Sequence, residues 1–199
     1  MTESRTARLL RTEWLGLAVI LAAIALLLVV SDVLQRWDGL IYDAQTKLLP
    51  VEAPSQIVLV DIDDESLAAL GRWPWPRDLH ARLIERLTEA RAAVIGIDVL
   101  FNERDARDPD GDRRLADAIA EHGQVVLPVA PIGAPGSALA EALPLSALGP
   151  AALGHVDVEL ETDGIVRRAC RFAGLGTPRW PSLPLAMWSL SQRQQVRTA

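Results

Sequence analysis

The chain has 199 residues, of which 50% are hydrophobic, and it carries a formal net charge of −6. The first thirteen residues balance to +1, so the remainder carries −7, and this acidity excludes the basic surface that nucleic-acid binding requires. A single thiol, Cys170, builds neither a disulfide framework nor a zinc site, and we interpret it as a small buried residue. No metal and no other cofactor is predicted.

Residues 14–34 are predicted to form one transmembrane helix. The run from Trp14 to Val30 has no charged residue and, with Ser31, reaches the roughly 18 to 20 residues that a membrane span needs. Three arginines precede it, so the positive-inside rule makes residues 1–13 a cytoplasmic tail and exports the rest. The alternatives are a cleaved signal peptide, which has a shorter apolar region before a small-residue site, and a buried core helix, which is rarely apolar on every face.

Residues 35–56 are predicted to form a juxtamembrane helix and a linker. Apolar residues recur at helical spacing between Leu40 and Leu48, and Pro50 ends the pattern. A helix that follows the span so closely suits a mechanical connection, although a plain spacer would have the same sequence.

The stretch from Ile57 to Phe101 is predicted to be a β-α-β unit. Its two strands, Ile57–Asp63 and Ala93–Phe101, are apolar nearly throughout, which suits a parallel sheet covered on both faces. The crossover contains a short helix at Asp64–Leu70, the proline-interrupted segment Trp73–Arg77, and a longer helix from Asp78 to about Arg91.

Three acids in this unit form a candidate ligand-binding site. Asp61, Asp63 and Asp98 come at the carboxyl ends of strands that we expect to be neighbours, where open α/β sheets usually bind ligands. Arg77 is placed to supply a counter-charge. The alternative is structural: these acids cap helices and pair with Arg72 or Arg77.

The aromatic residues of the crossover also allow two interpretations. Trp73 and Trp75 lie between prolines and form a stiff, bulky plug, which either packs over the edge of the sheet or stacks on a ligand. His80 falls on the helix that follows, and we interpret it as a surface histidine.

After Phe101 the chain becomes polar and acidic. The loop Asn102–Asp112 lacks the spacing of an EF-hand, so we interpret it as a solvated loop in which Asp112 caps the next helix. That helix is followed by a third strand, Gln124–Val129, where Pro128 predicts an edge or a strand exit.

A late antiparallel hairpin is predicted over residues 154–172, because Asp163-Gly164 lies between two strand-like runs. A final helix is predicted over Pro181–Ser191. The predicted fold class is therefore α/β, a mostly parallel sheet with flanking helices and a late antiparallel hairpin, preceded by one N-terminal transmembrane helix.

One enzymatic alternative starts from Asp61 and Asp63. Two acids at a strand end are similar to the nucleophile strand of haloacid-dehalogenase phosphatases, in which the first attacks phosphorus and the second acts as an acid. The hydroxyl group expected after the second strand is missing, and the only lysine, Lys47, precedes the first strand. We predict no catalytic residue, and a periplasmic phosphatase remains an alternative function.

Several motifs lie along the chain beyond the predicted span: Trp37–Asp43, Val58–Leu67, Gly71–Arg77, Gly96–Phe101, Gly154–Asp157, Asp163–Arg168 and Pro181–Ala186. Together they resemble the type-2 CHASE family, extracytoplasmic sensory domains attached to bacterial nucleotide cyclases, histidine kinases and serine/threonine kinases. The Trp-Pro-Trp-Pro-Arg element is the most specific of these motifs.

The resemblance implies that residues 57–199 are a sensor, not an enzyme. Together with the predicted span, it leads us to expect a protein that crosses the bacterial inner membrane once, with its N-terminus in the cytoplasm. Its partners would be lipid around residues 14–34 and an unknown small-molecule or physical stimulus outside the cytoplasm. Such receptors often work as pairs, which makes a homodimer plausible, although no residue pattern indicates one.

Members of this family usually continue with more of the sensor, further membrane spans and a cytoplasmic output domain. We therefore expect the chain to be the front part of a receptor, with a sensor that is incomplete at its C-terminal end. A passive, membrane-tethered scaffold is the remaining alternative.

Overall fold

The computed structural model describes residues 3–30, 33–52, 54–133, 138–161 and 163–198. The chain divides into two compact units, Met1–Asp61 and Ile62–Ala199.

The first unit contains two helices, α1 (Glu3–Val30) and α2 (Val33–Leu48). The side chains of residues 14–27 are all exposed, whichever face of α1 they occupy. Ser31 and Asp32, near the end of the predicted span, lie outside the described residues. In the part of the chain that the structure describes, no helix has both the length and the apolar character needed to cross a membrane. The helix predicted within residues 35–56 is present as α2.

The strand predicted over Ile57–Asp63 is not formed. Within the part of the chain that the structure describes, no strand is assigned to residues 57–63, and the side chains from Ile57 to Val60 are between 56% and 89% exposed. A strand exists only where its backbone N–H and C=O groups are paired, and an apolar pattern does not supply the partner. The predicted β-α-β unit is therefore wrong in its first strand, and its second predicted strand, Ala93–Phe101, is a strand only at Ile95–Gly96.

The second unit is built on a small sheet. Its strands are β1 (Ile95–Gly96), β2 (Val125–Ile132), β3 (Ala140–Ala142) and β4 (Ala152–His155). Strand β2 pairs in parallel with β1 on one side and with β4 on the other, and its last residues pair with β3 in the antiparallel direction. The mostly parallel sheet of the predicted fold class is thus present, with β2 at its centre.

Pro128 lies in this central strand, so its assignment to a sheet edge is wrong. The N–H of Ile97 donates to Val126 O at 3.0 Å, and the N–H of Val156 donates to Val129 O at 3.1 Å. Because neighbouring residues of a strand point their backbone groups to opposite sides, Pro128 faces the β1 side. The β1 ladder ends at Val126, so the missing N–H of Pro128 removes no sheet hydrogen bond.

Helices cover both faces of the sheet. On one face, α4 (Arg77–Glu89) and α5 (Gly111–His122) form the main core with the strands. On the other face, α6 (Leu183–Thr198) packs across β1, β2 and β4. The core residues are Ala81, Ile84, Ile95, Phe101, Leu115, Ala118, Ile119, Val125, Leu127 and Leu148.

The late antiparallel pair consists of β5 (Phe172–Ala173) and β6 (Trp180–Pro181). It lies later in the chain than the predicted turn at Asp163-Gly164. The first arm of the predicted hairpin is not available for it, because residues 154 and 155 belong to β4 and pair in parallel with β2. Cys170, in the second predicted arm, is exposed rather than buried.

Only the turn of the predicted hairpin is present. The N–H of Gly164 donates to Glu161 O at 2.8 Å, and the N–H of Glu161 donates to Ile165 O at 3.1 Å. The Arg167 guanidinium stabilises this turn through ion pairs of 2.8 Å to both Glu161 and Asp163. Thr162 lies outside the described residues.

Two glycines on the sheet allow α6 to approach closely. A methyl group added at Gly154 would lie 2.6 Å from the Cα atom of Leu183, at the start of α6. A methyl group added at Gly96 would meet the side chain of Met187, which is flexible and can move.

We expect Gly154→Ala to lower the free energy of unfolding by about 1–3 kcal/mol, because a backbone must shift to admit the methyl group. Gly96→Ala is the matched control and should cost less, since only a side chain must move. Urea unfolding followed by circular dichroism measures both. Equal losses would contradict the close packing of α6 on β4.

Candidate functional site

A cleft of about 360 Å³ lies at one end of the sheet in the second unit. Asp98 follows β1 and Val156 follows β4, so the cleft is at the carboxyl ends of parallel strands, where open α/β sheets usually bind ligands. Its other principal residues come from the segment before α4 and from the first turn of that helix: Trp73, Trp75, Arg77 and His80.

The two tryptophans have different surroundings. Trp75 is 9% exposed, and its indole N–H donates to Gly71 O at 2.8 Å, so it is part of the folded framework. Trp73 is 43% exposed and packs edge-on against Trp75, with ring centroids 5.8 Å apart. The tryptophans were expected either to pack over the edge of the sheet or to stack on a ligand. Trp75 is a packing residue, whereas Trp73 presents part of its ring to the cleft.

His80 is buried, so its interpretation as a surface histidine is wrong. Its ring lies 5.6 Å from that of Trp73 and 5.2 Å from that of Phe101, and it is 4% exposed. Its Nε2 atom has no hydrogen-bond partner among the described residues. Burial lowers the pKa of His80, and the positive charge of Arg77 lowers it further, so the ring is neutral. The sequence did contain a sign that His80 belongs with Arg77: it comes three residues later, so both residues lie on one side of α4.

Arg77 lines the cleft, but its guanidinium group interacts with other groups of the protein. The guanidinium carbon lies 4.5 Å from the centroid of the Phe101 ring, and Nη2 donates to Glu103 O at 2.8 Å. Nε pairs with Asp112 Oδ1 at 3.4 Å. The carboxylate that neutralises Arg77 is therefore Asp112, not one of the three acids of the predicted site.

Asp112 does not cap α5, which corrects the prediction. The N-cap position belongs to Asp110, and its side chain makes no capping hydrogen bond. Asp112 lies in the first turn, is 8% exposed and accepts the N–H of Asp105 at 3.3 Å while it pairs with Arg77. A second arginine, Arg114, joins the same region through ion pairs with Asp78 and Asp108. The acidic loop is thus tied to both helices.

Asp98 is exposed, and its carboxylate has no hydrogen bond or ion pair with the residues that the structure describes. It is therefore the acid of the predicted site that can receive a ligand in the cleft.

Asp63 fits the structural alternative. Its carboxylate caps α3 (Asp64–Leu70) by accepting the Ser66 N–H at 2.8 Å and the Ser66 hydroxyl at 2.6 Å. These hydrogen bonds lower the pKa of Asp63. Asp61 is exposed and belongs to the first unit. The nucleophile strand that the phosphatase alternative requires is not formed.

Comparison with known proteins identifies one family. The model of the CHASE2 domain matches residues 18–199, which include the C-terminal part of α1 and every later helix and strand that the structure describes. No curated protein and no solved structure matches the chain.

The buried pair formed by Arg77 and Asp112 should be important for stability. We expect Arg77→Leu to lower the free energy of unfolding by about 2–4 kcal/mol, because it leaves a buried carboxylate without its cation. Arg82→Leu is the control: Arg82 pairs with Asp78 at 3.3 Å, but its side chain is 64% exposed, so the loss should stay below about 1 kcal/mol. Urea unfolding measures both, and similar losses would contradict a special role for Arg77.

The neutral state of His80 predicts a pH dependence. Because the pKa of His80 is lower in the folded chain, the unfolded chain binds the proton first as the pH falls below about 6.5. Stability should therefore be fully present above that pH and decrease towards pH 5. His80→Leu should flatten this part of the curve, as measured by urea unfolding at several pH values. An unchanged slope would show that other groups cause the decrease.

Proposed function

The chain belongs to the CHASE2 family, whose members are extracellular sensory domains of signalling receptors, and from this premise we propose that it is the membrane-anchored sensory part of a bacterial receptor. The observation that carries the proposal is the extent of the family match, from residue 18 to residue 199. The family is sensory rather than catalytic, so we propose no enzymatic reaction.

The anchor in this proposal is residues 14–34. Three features support it: an uncharged run from Trp14 to Val30, arginines before the run, and apolar side chains of α1 that are exposed on every face. Trp14 and Trp37 are 69% and 61% exposed and flank the run, as aromatic residues at the two interfaces of a membrane do. Residues 1–13 would then be cytoplasmic, and the domain from residue 57 onwards would lie outside the inner membrane.

The sensory site in this proposal is the cleft at the carboxyl ends of β1 and β4. Its volume of about 360 Å³ falls in the range of about 300–1,000 Å³ that is usual for small-molecule sites. A ligand that favours one conformation of the domain would shift its population, and the linker and α2 connect the domain covalently to the anchor. The homodimer implied by the resemblance stays a prediction.

Reporter fusions test the topology. We expect alkaline phosphatase fused after Thr198 to be active in a bacterial host, and green fluorescent protein at the same place to be dark, because both report export. Removal of residues 14–30 is the control and should reverse both signals. A fluorescent fusion after Thr198 in the intact chain would contradict the proposal, and a mature N-terminus beyond Val33 would replace the anchor with a signal peptide.

A further inference from the structure

We propose that the cleft between Trp73 and Asp98 binds a small organic cation, an ammonium group carried on a compact apolar body. This inference rests on the proposed sensory function, because it names the chemical class of ligand for the same cleft.

The first argument is the charge of the cleft. Arg77 is the cation in its wall, but Asp112 pairs with it at 3.4 Å, and its guanidinium also packs over Phe101 and donates to Glu103 O. Asp98 remains as an exposed carboxylate without a partner among the described residues. The cleft therefore has an uncompensated negative charge, which attracts a cation electrostatically and also accepts a charge-assisted hydrogen bond from a cation that carries N–H groups.

The second argument is the aromatic wall. Trp73 is 43% exposed, and its ring is fixed by edge-on contacts with Trp75 and His80. The face of an indole ring attracts a cation electrostatically, and tryptophan is the best side chain for this interaction. Leu100 and Val156 provide apolar contacts for the body of the ligand.

The third argument is His80, at the base of the aromatic wall. Arg77 and Asp98 are the other charged residues that line the same cleft, and the charge of Arg77 acts on the His80 ring. Its Nε2 atom is buried without a partner, which is rare in folded proteins. Because the ring is neutral, it adds no positive charge that would repel a cation.

The test uses the purified full chain in a non-ionic detergent. The cationic probes are tetramethylammonium, choline and phenethylamine, and the neutral control is 3,3-dimethylbutan-1-ol, which replaces the nitrogen of choline with carbon. We expect isothermal titration calorimetry to detect saturable binding of at least one cation at concentrations up to about 10 mM. For choline, the neutral analogue should bind about tenfold more weakly because it lacks the charge.

The variants test separately how much the charge of Asp98 and the ring of Trp73 contribute to binding. Asp98→Asn should weaken cation binding about tenfold, whereas Asp117→Asn, which removes an exposed acid of α5 outside the cleft, should leave it unchanged. Trp73→Leu should weaken binding more than Trp73→Phe, which keeps an aromatic face. Circular dichroism of each variant checks folding. Because Asp98 is exposed, we expect Asp98→Asn to fold, and this variant alone tests the proposal if the Trp73 variants do not fold.

Three results would overturn the proposal. The first is the absence of binding by all three cations to the folded chain. The second is equal binding before and after Asp98→Asn. The third is preferential binding of the anion 3,3-dimethylbutanoate. If the chain is exported but does not bind these cations, the ligand proposal is wrong while the proposed sensory function still stands. A cytoplasmic Thr198 fusion would remove the sensory function whatever the calorimetry gives.

Discussion

The structure around the cleft depends on the buried ion pair between Arg77 and Asp112. Arg77 is the first residue of α4 and Asp112 lies in the first turn of α5, so their contact fixes the N-terminal ends of two helices against each other. The same guanidinium covers the ring of Phe101, which is fully buried just beyond β1. One side chain thus joins two helices, a loop and the end of a strand.

This arrangement also separates the roles of the charged residues. A buried carboxylate is stable only with a cation and hydrogen bonds, and Asp112 has both. Because Arg77 is used in this way, Asp98 keeps its negative charge at the surface of the cleft. The negative charge of the cleft therefore depends on the ion pair between Arg77 and Asp112.

Much of the second unit could be predicted from the sequence because its signals are local. The 3.6-residue period of α4 and α5, the apolar run of β2 and the Asp63 cap of α3 each depend on neighbouring residues. The prediction that Asp98 lies near the carboxyl end of a strand agrees with its position after β1, although the predicted strand ran on to Phe101. The failures concern partners that are distant in the chain. Phe101, which helps to bury His80, lies beyond β1, and the partner of Arg77 is 35 residues away.

The unpaired segment Ile57–Val60 has a further consequence for handling the protein. Short runs of exposed, β-branched apolar residues without proline are the kind of segment that stacks into cross-β aggregates. Asp61 and Asp63 follow this run directly and act as gatekeepers, because stacking identical chains in register would bring their carboxylates together. Concentrated samples should therefore be checked for aggregation.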